Sequence, residues 1–304
     1  RMKRAGFAGG FFAIYIPSPV EIGAPDYQAM MDSPPYDLPL PDLIDAAGAL
    51  PTAFAMAAHL MWMERASKGA LKICRTSADL RACMETGTIA AIMHMEGAEA
   101  IGPDLDALYA FHAMGLRSLG HGVPFRFPGD PDTGPGLTDA GKGLVKACNE
   151  LKIMIDLSHL NEKGFNDVAN LSDAPLVATH SNAHAVTPST RNLTDRQLAM
   201  IRESGGMVGL NYATVFLRDD GRKATDCGWD PIMRHLDHLV EKLGEDHVGL
   251  GSDFDGADLP DVIGDVTGVQ ALIGQMRERQ YGEALIEKIA SKNWVALLER
   301  TWGE

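Results

Sequence analysis

The sequence has few cysteines and no excess of basic residues, and both features limit its function. Its four cysteines, Cys74, Cys83, Cys148 and Cys227, lie far apart and form no CxxC pair. This spacing excludes a zinc ribbon and a CxxC redox motif and favours buried thiols. The 27 basic residues are outnumbered by 41 acidic residues, which gives a net charge of −14. Such a balance argues against nucleic acid or an anionic membrane as a partner.

No segment is predicted to cross a membrane or to direct export. Residues 1–4 are basic, but the apolar core and small-residue cleavage site of a signal peptide do not follow them. No apolar run reaches the length of a membrane span. The composition, with 45% hydrophobic and 22% charged residues, is typical of a soluble protein with a large core. It leaves a cytoplasmic and an exported location equally open.

Apolar runs bounded by turn residues alternate with helical patterns along most of the chain. The predicted strands are 9–16, 88–96, 116–119, 152–158, 175–180, 206–212 and 247–253. The predicted helices are 42–66, interrupted at Pro51, one that runs from the N-cap Ser77 to Glu85, then 104–114, 138–151, 161–171, 194–204, 230–243 and a tail at 268–302. Repeated βα units of this size predict a parallel sheet, either closed into a barrel or doubly wound.

The number of strands favours a barrel that lacks one strand. A (β/α)₈ TIM barrel has eight parallel strands, and seven are predicted here. A dinucleotide-binding sheet places its glycines after the first strand, whereas the glycines here precede it. We therefore expect a (β/α)₈ barrel whose first strand lies upstream of Arg1. Residues 1–304 would form a single domain, with the proline-rich residues 17–41 as a surface excursion.

Four predicted strands end on residues that bind metals or transfer protons, namely Glu96, His159, His180 and Asp253. The carboxyl ends of parallel strands meet at one mouth of a barrel, where α/β enzymes hold their active sites. Two imidazoles and a carboxylate suit zinc, and two zinc ions could share Glu96 and a hydroxide that attacks a carbonyl. Asp253 is placed to take a proton from the attacking water and pass it to a leaving amine. Each residue could instead be a polar strand end without a catalytic role.

Other polar residues are open to more than one interpretation. Arg191, in the loop HSNAHAVTPSTRN, is suited to bidentate capture of a substrate carboxylate, or it could form an ion pair beside the next helix. His235 and His238 are predicted to lie on the surface or flank of one helix, outside its apolar stripe. His94 shares a strand face with Glu96 and could line the barrel or simply pack there.

Several segments of the sequence resemble the motifs of one enzyme family. MHMEGAEAIG, IDLSHL, THSNAH followed by RNLTD, and VGLGSDFDG resemble motifs of the membrane dipeptidase (renal dipeptidase) family of zinc hydrolases, peptidase family M19. GGFFAIYIPSP and NWVALLERTW fit the same family, so the resemblance spans nearly the whole chain. It implies a (β/α)₈ barrel of the metal-dependent hydrolase type, two zinc ions, and hydrolysis of dipeptides, often with tolerance of a D-residue at the C-terminal position.

The resemblance also implies a role for each of the residues at the strand ends. Glu96 would be the ligand that bridges the two zinc ions, and His159 and His180 would bind the second zinc ion. Arg191 would hold the substrate carboxylate. Asp253 would be the acid–base residue.

The sequence departs from the family pattern at two places. The first zinc ion of the family is held by a His-x-Asp pair on the first strand, and nothing before Gly9 supplies one. We expect this pair, like the missing strand, upstream of Arg1. The family also has a substrate-contacting His after the fourth strand, and here Gly120 is followed directly by His121, which is the candidate for that role.

Three functions remain open on the sequence alone. The first is a binuclear zinc dipeptidase that acts on small dipeptides, with a homodimer as a possible assembly. The second is a related metal-dependent amidohydrolase that acts on another amide or a lactam. The third is a catalytically inactive barrel with a binding or maturation role, which a true absence of the His-x-Asp pair would favour. The preferred side chains and stereochemistry of the substrate cannot be predicted.

Overall fold

The chain folds around one sheet of eight parallel strands, in a computed structural model that describes residues 1–18, 26–33, 43–120 and 134–303. The strands are β1 (Gly9–Tyr15), β2 (Leu71–Ile73), β3 (Ile89–Glu96), β4 (Leu116–Gly120), β5 (Met154–Asp156), β6 (Val177–Ala178), β7 (Met207–Asn211) and β8 (Val248–Gly251). The pairing order is β1-β3-β4-β5-β6-β7-β8, and β2 pairs beside the beginning of β3. The predicted parallel α/β fold is confirmed, with the sheet curled as in a barrel. Most of the predicted excursion at 17–41 lies outside the described residues.

All seven predicted strands are present, and β2 is the strand that the sequence did not reveal. Its three residues are too few to establish a hydrophobic period. It pairs with residues 89–91 of β3, not between β1 and β8, which are the two ends of the pairing order. Within the described ranges, no pairing joins β1 to β8. β2 therefore does not fill the place between β8 and β1 where the missing eighth strand of the barrel was expected.

Helices connect most successive strands. They are α1 (Tyr27–Met31), α2 (Ala46–Ala66), α3 (Ser77–Thr86), α4 (Asp106–Met114), α5 (Asp139–Leu151), α6 (Glu162–Leu171), α7 (Asp195–Glu203), α8 (Thr214–Leu217), α9 (Trp229–Leu243), α10 (Val269–Glu278), α11 (Glu283–Glu287) and α12 (Asn293–Trp302), with 3₁₀ turns at Met2–Ala5 and Val266–Gly268 and a π-helical turn at Lys288–Lys292. The helices of the central βα units begin and end within two residues of their predicted bounds.

Three details of the helix predictions are wrong. α2 continues through Pro51, whose ring lies on the exposed side of the helix. The N-cap of α3 is Thr76 and not Ser77, because Thr76 and Asp79 form a reciprocal capping box. The tail is three helices, since Gln280 adopts a left-handed conformation with φ of +64° that ends the helical path after α10.

The side chains on the two faces of β3 pack into different parts of the core. Ala90 and Ile92 pack with Met154, Val177 and Met207 of other strands, and α12 contributes apolar side chains to the same cluster. Successive side chains of a strand alternate between its faces, so His94 and Glu96 continue the Ala90–Ile92 row toward the carboxyl end of the sheet. One row of side chains therefore begins as an apolar layer against α12 and ends as a polar layer. All four cysteines are buried and free, as predicted.

α2 carries large apolar side chains on its exposed side. Ala49, Ala53 and Ala57 are completely buried, whereas Phe54 and Trp62 on the other side stay exposed. By length and composition alone it could cross a membrane, and it is the one helix of the described residues that meets this test. The sequence had indicated no run of that length. A single helix of this kind is weak evidence for a membrane span.

His235 is buried, and the prediction that it lies at the surface is wrong. It occupies the position three residues after Ile232 and four before Leu239, so it belongs to the buried stripe of α9. The Nδ1 atom accepts a hydrogen bond of 3.2 Å from the backbone N–H of Ala183. The Nε2 atom then carries the proton and donates to the Thr187 hydroxyl at 3.2 Å. Burial lowers the pKa of His235 to about 3, so a neutral imidazole ties the loop after β6 to α9.

This burial predicts a specific pH dependence of stability. The folded state binds fewer protons than the unfolded chain, whose His pKa is about 6.5, so the contribution of His235 is present above pH 6.5 and is lost as the pH falls toward 3. Between pH 7.5 and pH 5, the wild type should lose about 2 kcal/mol more unfolding free energy than His235→Gln. Urea unfolding of metal-free protein measures the difference. His238→Gln, on the same helix, serves as the control, and an equal loss in all three proteins would contradict a buried neutral His235.

Candidate metal centre

Three side chains from different strand ends meet at the carboxyl end of the sheet. Glu96 is the last residue of β3, His159 lies three residues after β5, and His180 lies two residues after β6. The Nε2 atoms of the two imidazoles are 2.9 Å apart. The Oε1 atom of Glu96 lies 3.1 Å from Nε2 of His159 and 3.9 Å from Nε2 of His180. The structure thus brings together the three residues that the order of strand ends had linked.

The chemistry and spacing of this set fit a metal ion. Two imidazole nitrogens and a carboxylate oxygen are typical zinc ligands, with bonds of about 2.0–2.2 Å and hence about 3.4 Å between ligand atoms in a tetrahedral site. The observed separations of 2.9 to 3.9 Å lie around that value. Within the described part of the chain, this is the one group of three or more His, Cys, Asp or Glu side chains with such spacing.

A chain of hydrogen bonds fixes the imidazole of His180. The Thr179 hydroxyl donates a short hydrogen bond to Oδ2 of Asp156. Its oxygen is therefore left to accept from Nδ1 of His180, at 2.7 Å. Because Nδ1 carries the proton, the lone pair of Nε2 points toward Glu96 and His159. A histidine that donates through its other ring nitrogen in this way is oriented for metal binding.

Asp156 is the buried anchor of this chain. It is 1% exposed, and its Oδ1 atom accepts from the backbone N–H groups of Ser158 at 2.9 Å and Thr179 at 2.8 Å. Burial alone would raise the pKa of Asp156, but the imidazoles of His180 and His94 and the Thr179 bonds hold it below its usual value. Asp156 is therefore an anion at neutral pH.

The charges of the ligand residues suit a cation. Burial disfavours the charge of Glu96, but the hydrogen bond from His159 and the nearby imidazoles hold its pKa well below the usual range. Burial and the positive charge of Arg191 lower the pKa of His180, so its imidazole is neutral. A metal needs its carboxylate ligands ionised and its imidazole ligands neutral.

His94 lies in the barrel interior beneath the cluster, on the face of β3 that it shares with Glu96. It is 3% exposed, and its Nδ1 atom is 2.9 Å from the Ser118 hydroxyl. Its Nε2 atom is 3.7 Å from Oδ2 of Asp156 and has no hydrogen-bond partner. Burial lowers the pKa of His94, so this imidazole is neutral.

Arg191 is buried beside His180. Its Nη1 atom donates to the Ser181 hydroxyl at 2.7 Å and its Nη2 atom to the His180 carbonyl at 2.8 Å, while its Nε atom has no partner. The guanidinium carbon lies 5.5 Å from the centre of the Phe216 ring. Among the described residues, no carboxylate lies within ion-pair distance of Arg191, which argues against the helix-flanking ion pair.

Asp253 lies two residues after β8 and faces the same site. Its Oδ2 atom accepts from Nδ2 of Asn211 at 3.1 Å, and the same amide is 3.3 Å from the His180 carbonyl. Asp253 and His159 both adopt left-handed conformations, with φ of +57° and +71°. Non-glycine residues rarely adopt this conformation outside turns and functional sites.

Sequence reasoning missed Asp156 and Asn211, and His121 lies outside the described residues. Both missed residues are completely or almost completely buried. The signal was present in IMID and MVGLN, where a single polar residue, Asp156 or Asn211, ends an apolar run. A polar side chain at such a position needs a buried hydrogen-bond partner.

The chain matches the family model described as membrane dipeptidase (peptidase family M19) over residues 1–302. A metallo peptidase from Rhodobacter sphaeroides, crystallised with a phosphinate mimic of the dipeptide L-Ala-D-Ala, is 66% identical, with a TM-score of 0.96 over 99% of this chain and 89% of that protein. The crystal structure of dipeptidase AC, a metallo peptidase of family M19, is 65% identical, with a TM-score of 0.95 over 100% of this chain and 88% of that one.

A more distant relative has no stated activity. An uncharacterized protein encoded in the pqqA 5′ region of Klebsiella pneumoniae is 48% identical over 248 residues. The match covers 78% of this chain and 92% of the relative.

The chain of bonds from Asp156 to His180 predicts the effect of removing the carboxylate charge. Asp156→Asn should fold but bind zinc about ten- to hundredfold more weakly, because the amide no longer fixes the protonated Nδ1 atom of His180. Competition with a chromophoric chelator measures the affinity. The exposed residue Asp139 supplies the control variant Asp139→Asn. Equal zinc affinity in wild type and Asp156→Asn would show that Asp156 has a purely structural role.

Proposed function

This chain belongs to the membrane dipeptidase family, peptidase family M19, and we propose that it hydrolyses dipeptides at a zinc centre formed by Glu96, His159 and His180. The observation that carries the proposal is the convergence of these three side chains from separate strand ends in a chain that matches the family over residues 1–302. The two solved structures about 65% identical to it are metallo peptidases. The chain is thus a metal-dependent dipeptidase, and the identity and number of its ions are the proposed part.

Zinc is the ion that the donor set favours, because it accepts mixed nitrogen and oxygen ligation in a four-coordinate site. When bound, zinc would polarise the scissile carbonyl and make a water molecule acidic near neutral pH. We assign two ions to each chain. The two oxygens of the Glu96 carboxylate can serve two ions, and the further ligands of the second ion would come from outside the described residues.

Arg191 is the proposed anchor of the substrate carboxylate. The buried guanidinium lies beside the proposed metal ligands and has no described carboxylate within ion-pair distance, so its charge is available to a substrate carboxylate. Its Nε atom also keeps a free donor. The fork of an arginine side chain matches a carboxylate. A dipeptide held there by its free C-terminus would have its peptide bond near Glu96 and His180.

Asp253 is the proposed acid–base residue. Its carboxylate faces the centre from the end of β8 and is oriented by the amide of Asn211. The remaining Oδ1 atom can take a proton from the attacking water and return it to the leaving amine. Such a transfer needs an oriented carboxylate that is not a dominant metal ligand, and the bond to Asn211 supplies the orientation.

The substrate class follows from the ligand of a relative. The Rhodobacter protein was crystallised with a mimic of L-Ala-D-Ala. We propose that small dipeptides with a D-residue at the C-terminal position are substrates of this chain as well. His121, which follows Gly120 in the sequence, would add a substrate contact.

The first test compares substrates and counts ions. Zinc-loaded protein should hydrolyse L-Ala-D-Ala, whereas cyclic amides should react at least tenfold more slowly. Asp253→Asn should keep its zinc and lose about 10²- to 10⁴-fold in kcat, because the proton-transfer group is gone. The matched control is Asp255→Asn, an exposed residue of the same loop.

Each contrary result has a definite meaning. Faster hydrolysis of cyclic amides would indicate an amidohydrolase with another substrate. No bound zinc and no hydrolysis of either substrate would indicate a catalytically inactive binding barrel. Full activity in Asp253→Asn would move the acid–base role to another residue.

The second test concerns the Arg191 charge. Arg191→Met should lower kcat/KM for dipeptides about ten- to hundredfold, because a charge-assisted contact is worth about 1.5–3 kcal/mol. The loss for dipeptide C-terminal amides should be much smaller. Arg196→Met, on the exposed side of α7, serves as the control. Equal losses for acid and amide substrates would assign Arg191 a structural role.

A further inference from the structure

A cavity lies at the end of the sheet opposite the metal centre. Its volume is about 140 Å³. The residues that line it are Arg75, Thr76, His112, Arg117, Leu151, Lys152, Trp302 and Gly303. Arg117 is the second residue of β4, and Lys152 lies two residues before β5. These are amino ends of parallel strands, whereas Glu96, His159 and His180 lie at or beyond the carboxyl ends.

The cavity is cationic in a strongly acidic protein. Arg75, Arg117 and Lys152 carry positive charges, although the chain has a net charge of −14. In the described ranges, none of the three has a carboxylate within ion-pair distance. The nearby carboxylate of Asp79 is bound to Nζ of Lys72 at 2.6 Å and to the backbone N–H of Arg75 at 3.0 Å. Asp79 acts on Arg117 only from beyond ion-pair distance, so no described carboxylate pairs directly with any of the three positive charges.

The two guanidiniums are held in fixed positions by backbone carbonyls. Nε of Arg117 donates to the Arg75 carbonyl at 2.8 Å, and its Nη1 atom donates to the carbonyls of His112 and Leu116. Nη2 of Arg75 donates to the Met114 carbonyl at 2.9 Å. These bonds leave Nη2 of Arg117 and Nη1 of Arg75 without an acceptor among the described residues. Prearranged donors bind a ligand without a further loss of side-chain entropy.

Placing the two arginines together has an electrostatic cost. Burial and the repulsion from Arg75 lower the pKa of Arg117. Gly115, with φ of +122°, makes room for the Arg75 side chain, because a Cβ atom there would lie 3.2 Å from its Nε atom. The local backbone thus accommodates a like-charge pair that a bound anion would stabilise.

We propose that this cavity binds a small tetrahedral oxyanion of the phosphate class. At about 30 Å³ for each water, its volume holds roughly five heavy atoms, which is the size of a phosphate group. Arginine forks match the geometry of phosphate oxygens, and Lys152 adds a point charge at the open side. The ligand is inorganic phosphate or the phosphate group of a small ester.

Calorimetric titration of the metal-loaded protein with inorganic phosphate and with glycerol 3-phosphate tests the site and separates the two sources. Lys152→Gln should weaken the binding of the preferred anion about tenfold, and Arg75→Gln by at least as much. The control Lys142→Gln lies on the exposed side of α5 and should bind as the wild type does. If Arg75→Gln does not fold, the anion affinity of Lys152→Gln alone tests the proposal.

Phosphate that binds the metal ions would also contribute to the titration. Crystals soaked in selenate therefore show directly where the anion binds. Anomalous density between Arg75 and Arg117 supports the proposal. Density at the metal centre alone, or an anion affinity that neither variant changes, would overturn it. These readouts do not depend on peptide hydrolysis, so they are separate from the test of the dipeptidase function.

Discussion

The position of the proposed metal ligands depends on the hydrogen bonds of one buried carboxylate. β5 and β6 share a single residue pair, Asp156 with Val177, so their backbones provide almost no ladder where the site begins. The Asp156 side chain replaces that ladder by accepting from the backbone N–H of Thr179 across the gap, and it also accepts from the backbone N–H of Ser158 on its own segment. The Ser158 hydroxyl continues it by accepting from the backbone N–H of His180 at 3.0 Å. Side chains therefore set the spacing of the two strand ends that carry His159 and His180.

This arrangement explains why the centre is both rigid and dependent on charge. A buried carboxylate without partners would cost several kcal/mol, and here three hydrogen bonds and two neighbouring imidazoles offset that cost. The cluster above it gathers three candidate ligand atoms, because the Nε2 atoms of two imidazoles lie 2.9 Å apart beside the Glu96 carboxylate. A cation in that space would satisfy both nitrogens and Glu96 at once. Metal binding at the proposed centre would thus be coupled to local stability through Asp156, Thr179 and His180.

The parts of the fold that could be predicted are those in which the pattern is long and local. β3 was predicted as a buried strand, and seven of its eight residues are buried. Its alternation correctly put His94 and Glu96 on one face. β6 was predicted as 175–180 but has two ladder residues, since Asp156 and Ser158 replace the rest. The hydrogen bonds that make this replacement join residues about 22 positions apart, and no local pattern encodes them. The burial of His235 was missed for a different reason, because its spacing from Ile232 and Leu239 fits the buried stripe of α9 but its polar side chain had favoured a surface position.

The conformations of His159 and Asp253 show where local preference was given up for chemistry. Each has a left-handed backbone, which costs a non-glycine residue about 1–2 kcal/mol. Glycine would adopt both conformations without that cost, and the sequence uses glycine at many other positive-φ positions. Glycine, however, has neither an imidazole nor a carboxylate to direct into the site. The strain is tolerated because Asn211 holds Asp253 and the buried bonds of Asp156 and Ser158 fix the segment that leads to His159. Gln280 adopts the same conformation only to end a helix, so the conformation supports a functional role, independently of any relative, where buried hydrogen bonds hold the residue at the carboxyl end of the sheet.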